Sequence, residues 1–176
     1  MEPGNWGHRW FYAQYTIVEG LDHWMTHRFL VDEMLGDVMK WLRILGFEAV
    51  YRKGYSDRTL VEKANRGFVL VTSDRELFRM SSSRGLNCIL LQEHSVKDKL
   101  VHIFRDLDLK PSLRTTRCAI CGGRLEIRRK SIPKRTDSRR VFWTCTKCGK
   151  MYWRGSHWRN IGKMIANVRS DLSAKQ

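Results

Sequence analysis

Four of the five cysteines form two pairs with the spacing Cys-X-X-Cys, and a glycine follows each pair. Each pair places two thiols on one tight turn, and the glycine can adopt the positive φ that such a turn requires. The segment between the pairs, residues 122–144, is slightly longer than usual for this pattern, which a hairpin with an extended tip would accommodate. The predicted ligands of a structural, tetrahedral zinc ion are Cys118, Cys121, Cys145 and Cys148.

Two other uses of paired cysteines fit this sequence less well. A thioredoxin-like redox motif is a single pair that opens a helix after a strand, and neither pair stands in that context. Two disulfides are disfavoured because the composition indicates an intracellular protein.

Four acidic residues occupy related positions in the predicted elements. Asp32 ends the first predicted strand, Asp74 and Glu93 follow the third and fourth strands, and Asp57 begins the second helix. All four are expected at the carboxyl edge of a parallel sheet, where open α/β sheets bind their ligands. Carboxylates gathered there repel one another unless a divalent cation such as Mg²⁺ or Mn²⁺ neutralises them, and such a cation can activate water and clamp a phosphodiester.

Each acid also has a structural interpretation. Asp74 would stabilise the dipole of a helix whose capping box is Ser73 and Glu76, and either Ser56 or Asp57 would be the N-cap of the second helix. Glu93 fits an ordinary acidic loop. Asp32 is harder to explain in this way, because an acid directly after an apolar strand is costly to bury without a partner or a metal.

The elements that must position these acids alternate between strands and helices. Each of four short apolar runs is followed by a segment whose apolar residues recur with the spacing of a helix. In the first of these segments the apolar positions begin at Met34. The predicted strands are residues 28–32, 47–51, 68–72 and 86–91. This order predicts a parallel α/β sheet covered by helices, and the nearly continuous apolar runs agree because parallel strands are buried on both faces.

The charge of the chain is unevenly distributed. The 176 residues include 33 Lys and Arg against 18 Asp and Glu, a formal charge of +15, and nearly all of the excess lies in residues 112–176. A hydrophobic content of 42% is enough for a packed core, so the chain is not a disordered basic tail. There is no run of about 18 apolar residues for a membrane span. We therefore expect a soluble, cytoplasmic protein with a polyanionic partner and no membrane association.

The basic residues between the cysteine pairs predict how a nucleic acid is held. They would project from the hairpin tip as a row of phosphate contacts: Arg128, Arg129, Lys130, Lys134, Arg135, Arg139 and Arg140. Trp153 and Trp158 would stack on unpaired bases, and His157 would contact a phosphate or bond a backbone carbonyl. The alternatives are a merely solvated tip and aromatic residues that complete the small ribbon core.

Several motifs in order resemble the Mut-seven C-terminal ribonuclease family, a PIN-like group. They are FLVDEMLG (29–36), WLRILGF (41–47), SD (56–57), LVTSDR (70–75), RCAICG (117–122) with the second cysteine pair, and MYWRGSHW (151–158). The resemblance implies a PIN-like fold with an attached zinc ribbon, endoribonuclease activity, and metal ligands at Asp32, Asp57 and Asp74. Ser73 departs from the pattern, because many relatives carry arginine there.

These observations divide the chain into four parts and leave two functions. The parts are an aromatic-rich N-terminal extension (1–27), a PIN-like nuclease domain (28–111), a zinc ribbon (112–160) and a basic C-terminal tail that is helical in part (161–176). The first function is a ribonuclease that uses Mg²⁺ or Mn²⁺ and binds RNA, single-stranded or structured, through its ribbon. The second is a noncatalytic RNA- or ribosome-binding protein on the same scaffold.

Overall fold

The computed structural model describes residues 27–51, 53–113, 116–127 and 141–174. The elements in chain order are β1 (Arg28–Val31), a 3-10 helix (Glu33–Leu35), α1 (Gly36–Ile44), β2 (Glu48–Val50), α2 (Asp57–Ala64), β3 (Val69–Thr72), α3 (Arg75–Ser82), β4 (Cys88–Leu90), α4 (Val96–Asp106), β5 (Leu125–Ile127), β6 (Phe142–Cys145), β7 (Met151–Trp153) and α5 (Ser156–Ser173). The predicted alternation of strands and helices is confirmed. No helix within these ranges is long and apolar enough to cross a bilayer.

The first four strands form one parallel sheet in the order β2-β1-β3-β4. β1 and β3 are the central strands, and nearly every residue in them is buried. This burial on both faces explains why their sequences are continuous apolar runs rather than alternating patterns. The predicted fold class, a parallel sheet flanked by helices, is confirmed.

Alternate residues of the central strands belong to two separate cores. Phe29, Val31 and Val71 pack on one face with α1, α4 and α5, whereas Leu30 and Leu70 pack on the other face with α2 and α3. The strand order explains this division. The connection from β1 to β2 crosses the sheet in one direction, and the connections from β2 to β3 and from β3 to β4 cross it in the other. Because crossovers are right-handed, α1 lies on one face and α2 and α3 lie on the opposite face.

The C-terminal helix α5 belongs to the core of the α/β domain. Ile161, Ile165 and Val168 form its buried stripe and join the cluster around α1 and α4. Lys97 at the start of α4 pairs with Asp171 near the end of α5, at a distance of 2.6 Å between Nζ and Oδ2. The helix begins at Ser156, so it runs across the boundary suggested by the sequence at residue 160.

The ribbon is a three-stranded antiparallel sheet in the order β5-β6-β7. Each cysteine pair lies on a turn closed by a backbone hydrogen bond from the following glycine: Gly122 donates to Cys118 at 2.8 Å and Gly149 to Cys145 at 3.0 Å. Both glycines have φ of +71°, which confirms the conformation that the sequence required of them.

Candidate active site and metal centre

The strand order has its switch point between β1 and β3, the place where open α/β sheets form the crevice that binds their ligands. These strands are neighbours, but the helices that follow them, α1 and α3, cover opposite faces of the sheet. Their connections therefore diverge and leave an opening at the carboxyl ends of the two strands, which is the usual ligand position in open α/β sheets. Asp32 follows β1 and Asp74 follows β3, so both acids stand at this opening.

Hydrogen bonds of its side chain and its backbone hold Asp32 in place. It is 9% exposed, and its backbone amide donates to Val71 across the two strands at 3.0 Å. Oδ1 accepts from the Glu33 amide at 2.6 Å, and Oδ2 accepts from the Thr72 hydroxyl at 2.8 Å. A nearly buried carboxylate satisfied in this way has a fixed orientation at the mouth of the crevice.

Thr72 connects the two acids. Its side chain is fully buried, and its Oγ1 donates to Asp32 and accepts from the backbone amide of Asp74 at 3.0 Å. One hydroxyl therefore fixes the spacing between the strand end that carries Asp32 and the loop that carries Asp74.

Asp74 is the N-cap of α3. Oδ1 accepts from the amides of Glu76 and Leu77 at 2.6 and 3.2 Å. The predicted capping box of Ser73 and Glu76 is therefore wrong by one residue. The helix begins one residue later than predicted, and Ser73 belongs to the loop after β3, where its carbonyl accepts from the Gln92 side chain at 3.1 Å. No hydrogen bond in the described part of the chain engages Oδ2 of Asp74.

Asp57 stands at the same edge but apart from the other two acids. It is the first, exposed residue of α2. Ser56 is the N-cap, because its hydroxyl accepts from the Thr59 amide, so of the two predicted N-caps Ser56 is confirmed and Asp57 is wrong. No hydrogen bond among the described residues joins Asp57 to Asp32 or Asp74. The loop before it is tied to the crevice, because Gly54 donates its amide to Glu33 Oε2 at 2.8 Å.

Glu93 is paired with a histidine. Its Oε1 lies 2.5 Å from Nδ1 of His102 on α4, and Nε2 of the same imidazole lies 3.2 Å from Asp106 Oδ2. The imidazole thus bridges two carboxylates. This partner gives Glu93 a structural role at the edge of β4 that the sequence pattern did not reveal.

The four predicted zinc ligands converge. Their Sγ atoms all lie within 4.8 Å of one another, with 3.7 Å between Cys118 and Cys148 and 3.4 Å between Cys121 and Cys145. Zinc bound to four thiolates has Zn–S bonds of about 2.3 Å, which place the sulfurs about 3.8 Å apart. Elsewhere in the described ranges, no three His, Cys, Asp or Glu side chains come this close. The cysteines therefore fit a zinc ion.

The environment of the thiols also favours a cation. Burial raises the pKa of Cys118, but hydrogen bonds from the Tyr152 hydroxyl, at 3.0 Å, and from two backbone amides outweigh it and lower the pKa to about 6. The Gly123 amide lowers the pKa of Cys121, but burial and the other three thiols raise it to about 12. Such a contrast is expected of crowded thiols, because adjacent thiolates repel. A bound Zn²⁺ removes this repulsion.

A buried arginine attaches the ribbon to the α/β domain. Arg43, at the end of α1, is 6% exposed. Its Nε donates to the Ala49 carbonyl in β2 at 2.9 Å, and its Nη1 donates to the carbonyls of Ala119 and Ile120 in the first cysteine turn at 3.2 and 2.7 Å. Burial lowers the pKa of Arg43, and the thiolates of the turn oppose this effect.

The ribbon and the acids lie at opposite edges of the sheet. α1 leaves the carboxyl end of β1 and returns to the amino end of β2, so Arg43 and Gly46 lie near the amino edge. Arg117 next to the first cysteine turn donates to the Gly46 carbonyl at 3.0 Å. The ion pair between Lys97 and Asp171 also indicates that the ribbon lies at the amino edge. It places the end of α5 near the carboxyl edge, so the start of α5, which follows β7, lies near the amino edge.

The predicted RNA-binding residues are placed unevenly. The N-terminal extension lies outside the described residues apart from His27. The basic residues of the hairpin tip also lie outside them: Arg128, Arg129, Lys130, Lys134, Arg135, Arg139 and Arg140. Trp153 is 52% exposed, and His157 is exposed in the first turn of α5. Trp158 is half-buried and packs against the core of the α/β domain.

A family model decides the classification. The Mut7-C RNAse domain matches residues 27–165, which include the parallel sheet, the acidic edge and the ribbon. The chain belongs to this family. Membership in the Mut7-C family indicates a ribonuclease-like function and RNA as substrate or partner. No curated protein and no solved structure matches the chain.

Sequence reasoning gave no role to two polar residues on which the Mut7-C fold relies. Thr72 and Arg43 both lie within the motifs that resemble the family, but the partners of their side chains are distant in the chain. A polar residue inside an apolar strand or helix was the available signal, since such groups require buried partners.

Replacing Arg43 with methionine is expected to destabilise the protein by about 2–4 kcal/mol, because buried carbonyls in two segments lose a charged donor. The measurement is urea unfolding in excess zinc, together with the zinc content of the purified protein. The control is Lys40→Met, which removes an exposed cation from the same helix. Equal stability of the two variants would show that Arg43 does not hold the two units together.

Proposed function

We propose that the protein is a metal-dependent endoribonuclease whose site is the crevice between β1 and β3. The observation that carries this proposal is the Thr72 hydroxyl, which ties a nearly buried Asp32 to Asp74 where the fold opens. Two carboxylates on adjoining strand ends at such an opening suit a divalent cation, because oxygen ligands are the ones that Mg²⁺ and Mn²⁺ prefer. Together with the Mut7-C match, this arrangement supports hydrolysis of RNA phosphodiester bonds.

The proposed ligands of Mg²⁺ or Mn²⁺ are Asp32, Asp57 and Asp74. Asp74 uses Oδ1 to cap α3, and its second carboxylate oxygen, Oδ2, would be the ligand atom. Asp57 stands apart from the other two acids, at the start of a helix whose preceding loop is hydrogen-bonded to Glu33. A bound cation would remove the repulsion between the carboxylates and would draw Asp57 towards the other two. When bound, the metal activates water and stabilises the charge of the phosphoryl group.

RNA would also contact the basic ribbon. Because the described strands of the ribbon lie at the amino edge, an RNA that touches both the ribbon and the acids has to pass along the length of the domain. The ribbon would supply affinity through counterion release and stacking on Trp153, whereas cleavage would take place at the opposite edge.

The second candidate is a noncatalytic RNA- or ribosome-binding protein. Two observations favour it. Asp74 already has a structural task as the N-cap of α3, and Glu93 is paired with His102. A chain that keeps these acids for stability and its basic residues for binding would conserve the scaffold without the reaction.

Replacing either Asp32 or Asp74 with asparagine is expected to lower Mn²⁺-dependent RNA cleavage at least about 100-fold, because each variant removes a charged metal ligand. The Asp74 variant keeps its fold, since asparagine is an equally good N-cap. The measurement is cleavage of labelled RNA across a Mn²⁺ titration. Glu62→Gln, which removes an exposed carboxylate of α2, is the control.

Equal cleavage by the wild type and both aspartate variants would place the activity elsewhere or in a contaminant. RNA binding without cleavage by the wild type would favour the noncatalytic alternative. Cleavage of DNA instead of RNA would overturn the substrate class.

Replacing Thr72 with valine is expected to lower kcat about 10–100-fold, because a hydrogen bond to a charged group contributes about 1.5–3 kcal/mol. Valine keeps the shape of the side chain, but it takes a donor from Asp32 and an acceptor from the Asp74 amide. Thr72→Ser retains the hydroxyl and should stay within about 3-fold of the wild type. If the two variants had the same kcat while remaining folded in thermal unfolding, the hydroxyl would have no part in the site.

A further inference from the structure

The separation of the ribbon from the acids raises the question of what holds RNA at the carboxyl edge. Metal and carboxylates alone leave the neighbouring phosphates of a chain uncompensated. A cation on the α/β domain itself, beside Asp32 and Asp74, would meet this need. The following inference rests on the proposed function of that edge.

Arg75 is such a cation. It is the first residue of α3, directly after Asp74, and it is exposed. Its Nε donates to Oε1 of Gln92, on the loop after β4, at 3.0 Å. Within the described residues, no carboxylate lies within ion-pair distance of Arg75, and no hydrogen bond engages either of its Nη groups.

Gln92 fixes the direction of this guanidinium. Its Nε2 donates to the carbonyls of Ser73 and Leu91 at 3.1 and 3.2 Å, so the amide group bridges the loops that follow β3 and β4. The same side chain accepts from Arg75. An exposed arginine normally samples many rotamers, and ordering such a side chain costs conformational entropy. Here the ordering is built into the edge before any ligand arrives.

The atoms left over have the geometry of a phosphate site. A guanidinium held through Nε still presents its terminal N–H groups in a planar fork, which matches two oxygens of one phosphate. The absence of a carboxylate partner among the described residues leaves the positive charge for an external anion. Arg75 also follows Asp74 directly, so a phosphate on this fork would lie beside the proposed metal ligands.

We propose that Arg75 binds the non-bridging oxygens of an RNA phosphate at the carboxyl edge, and that Gln92 is the residue that positions it. In this assignment the carboxyl edge has two parts. The carboxylates bind the metal, and one oriented arginine binds the phosphate backbone of the RNA. The assignment also separates local substrate positioning from the affinity supplied by the ribbon.

The test compares Arg75→Gln, Arg75→Lys and Gln92→Leu with the control Arg84→Gln. Arg84 is exposed in the turn after α3, at the other end of that helix. The measurements are KM and kcat for cleavage of a labelled single-stranded RNA with Mn²⁺, and its affinity at several salt concentrations. Thermal unfolding confirms that each variant is folded.

Arg75→Gln should raise KM about 10–100-fold, since it removes charge-assisted hydrogen bonds, and reduce the salt slope of binding by about 0.7, the value for one single-strand phosphate. Arg75→Lys should restore the slope but only part of the KM, because a lysine is a point charge without the fork. Gln92→Leu should raise KM by a smaller factor without changing the slope, because it keeps the charge and loses only its orientation. Arg84→Gln should behave as the wild type.

The outcomes separate this inference from the proposed function. If the wild type cleaves RNA and Arg75→Gln matches Arg84→Gln in both KM and salt slope, the arginine assignment fails while the nuclease proposal stands. If no protein cleaves but Arg75→Gln binds RNA more weakly than Arg84→Gln, the phosphate site stands without the reaction. Equal affinity of all variants without cleavage overturns both.

Discussion

The site follows from one constraint, which is the reversal of the strand order between the parallel strands β1 and β3. Because α1 and α3 must cover opposite faces, the carboxyl ends of the two central strands cannot be closed by their own connections. Acids placed directly after these strands therefore meet at an opening rather than in the core. The buried Thr72 fixes the spacing between the two segments, because its hydroxyl donates to the Asp32 side chain and accepts from the Asp74 amide.

The opposite end of the sheet is organised around the buried guanidinium of Arg43. It satisfies carbonyls in β2 and in the first cysteine turn, and the thiolates of that turn lie close enough to oppose the effect of burial on its pKa. Four thiolates with Zn²⁺ carry a net negative charge, which suits a buried cation next to them. In the described part of the chain, the four cysteines that fit a zinc ion thus lie towards one edge of the sheet, and Asp32 and Asp74 lie at the other.

Local patterns predicted the elements and the zinc ligands, because a strand buried on both faces and a Cys-X-X-Cys turn are both encoded by adjacent residues. The contacts that build the sites were not predictable in this way: the Thr72 hydroxyl meets Asp32, and Arg43 meets Ile120, across long stretches of chain. Neighbouring residues with similar propensities were also ambiguous. Ser73 and Asp74 can both cap a helix, and the sequence alone does not distinguish them; in the structure Asp74 is the N-cap.

The proposed nuclease needs a divalent cation in the crevice between β1 and β3. A crystal structure of the wild-type protein with Mn²⁺ tests this, with anomalous diffraction used to locate the metal independently of zinc at the four cysteines. We expect a manganese peak between Asp32 and Asp74 that disappears in the Asp32→Asn variant. A crystal that shows zinc at the cysteines and no manganese between these two aspartates, in a protein that still cleaves RNA with Mn²⁺, would contradict this proposal.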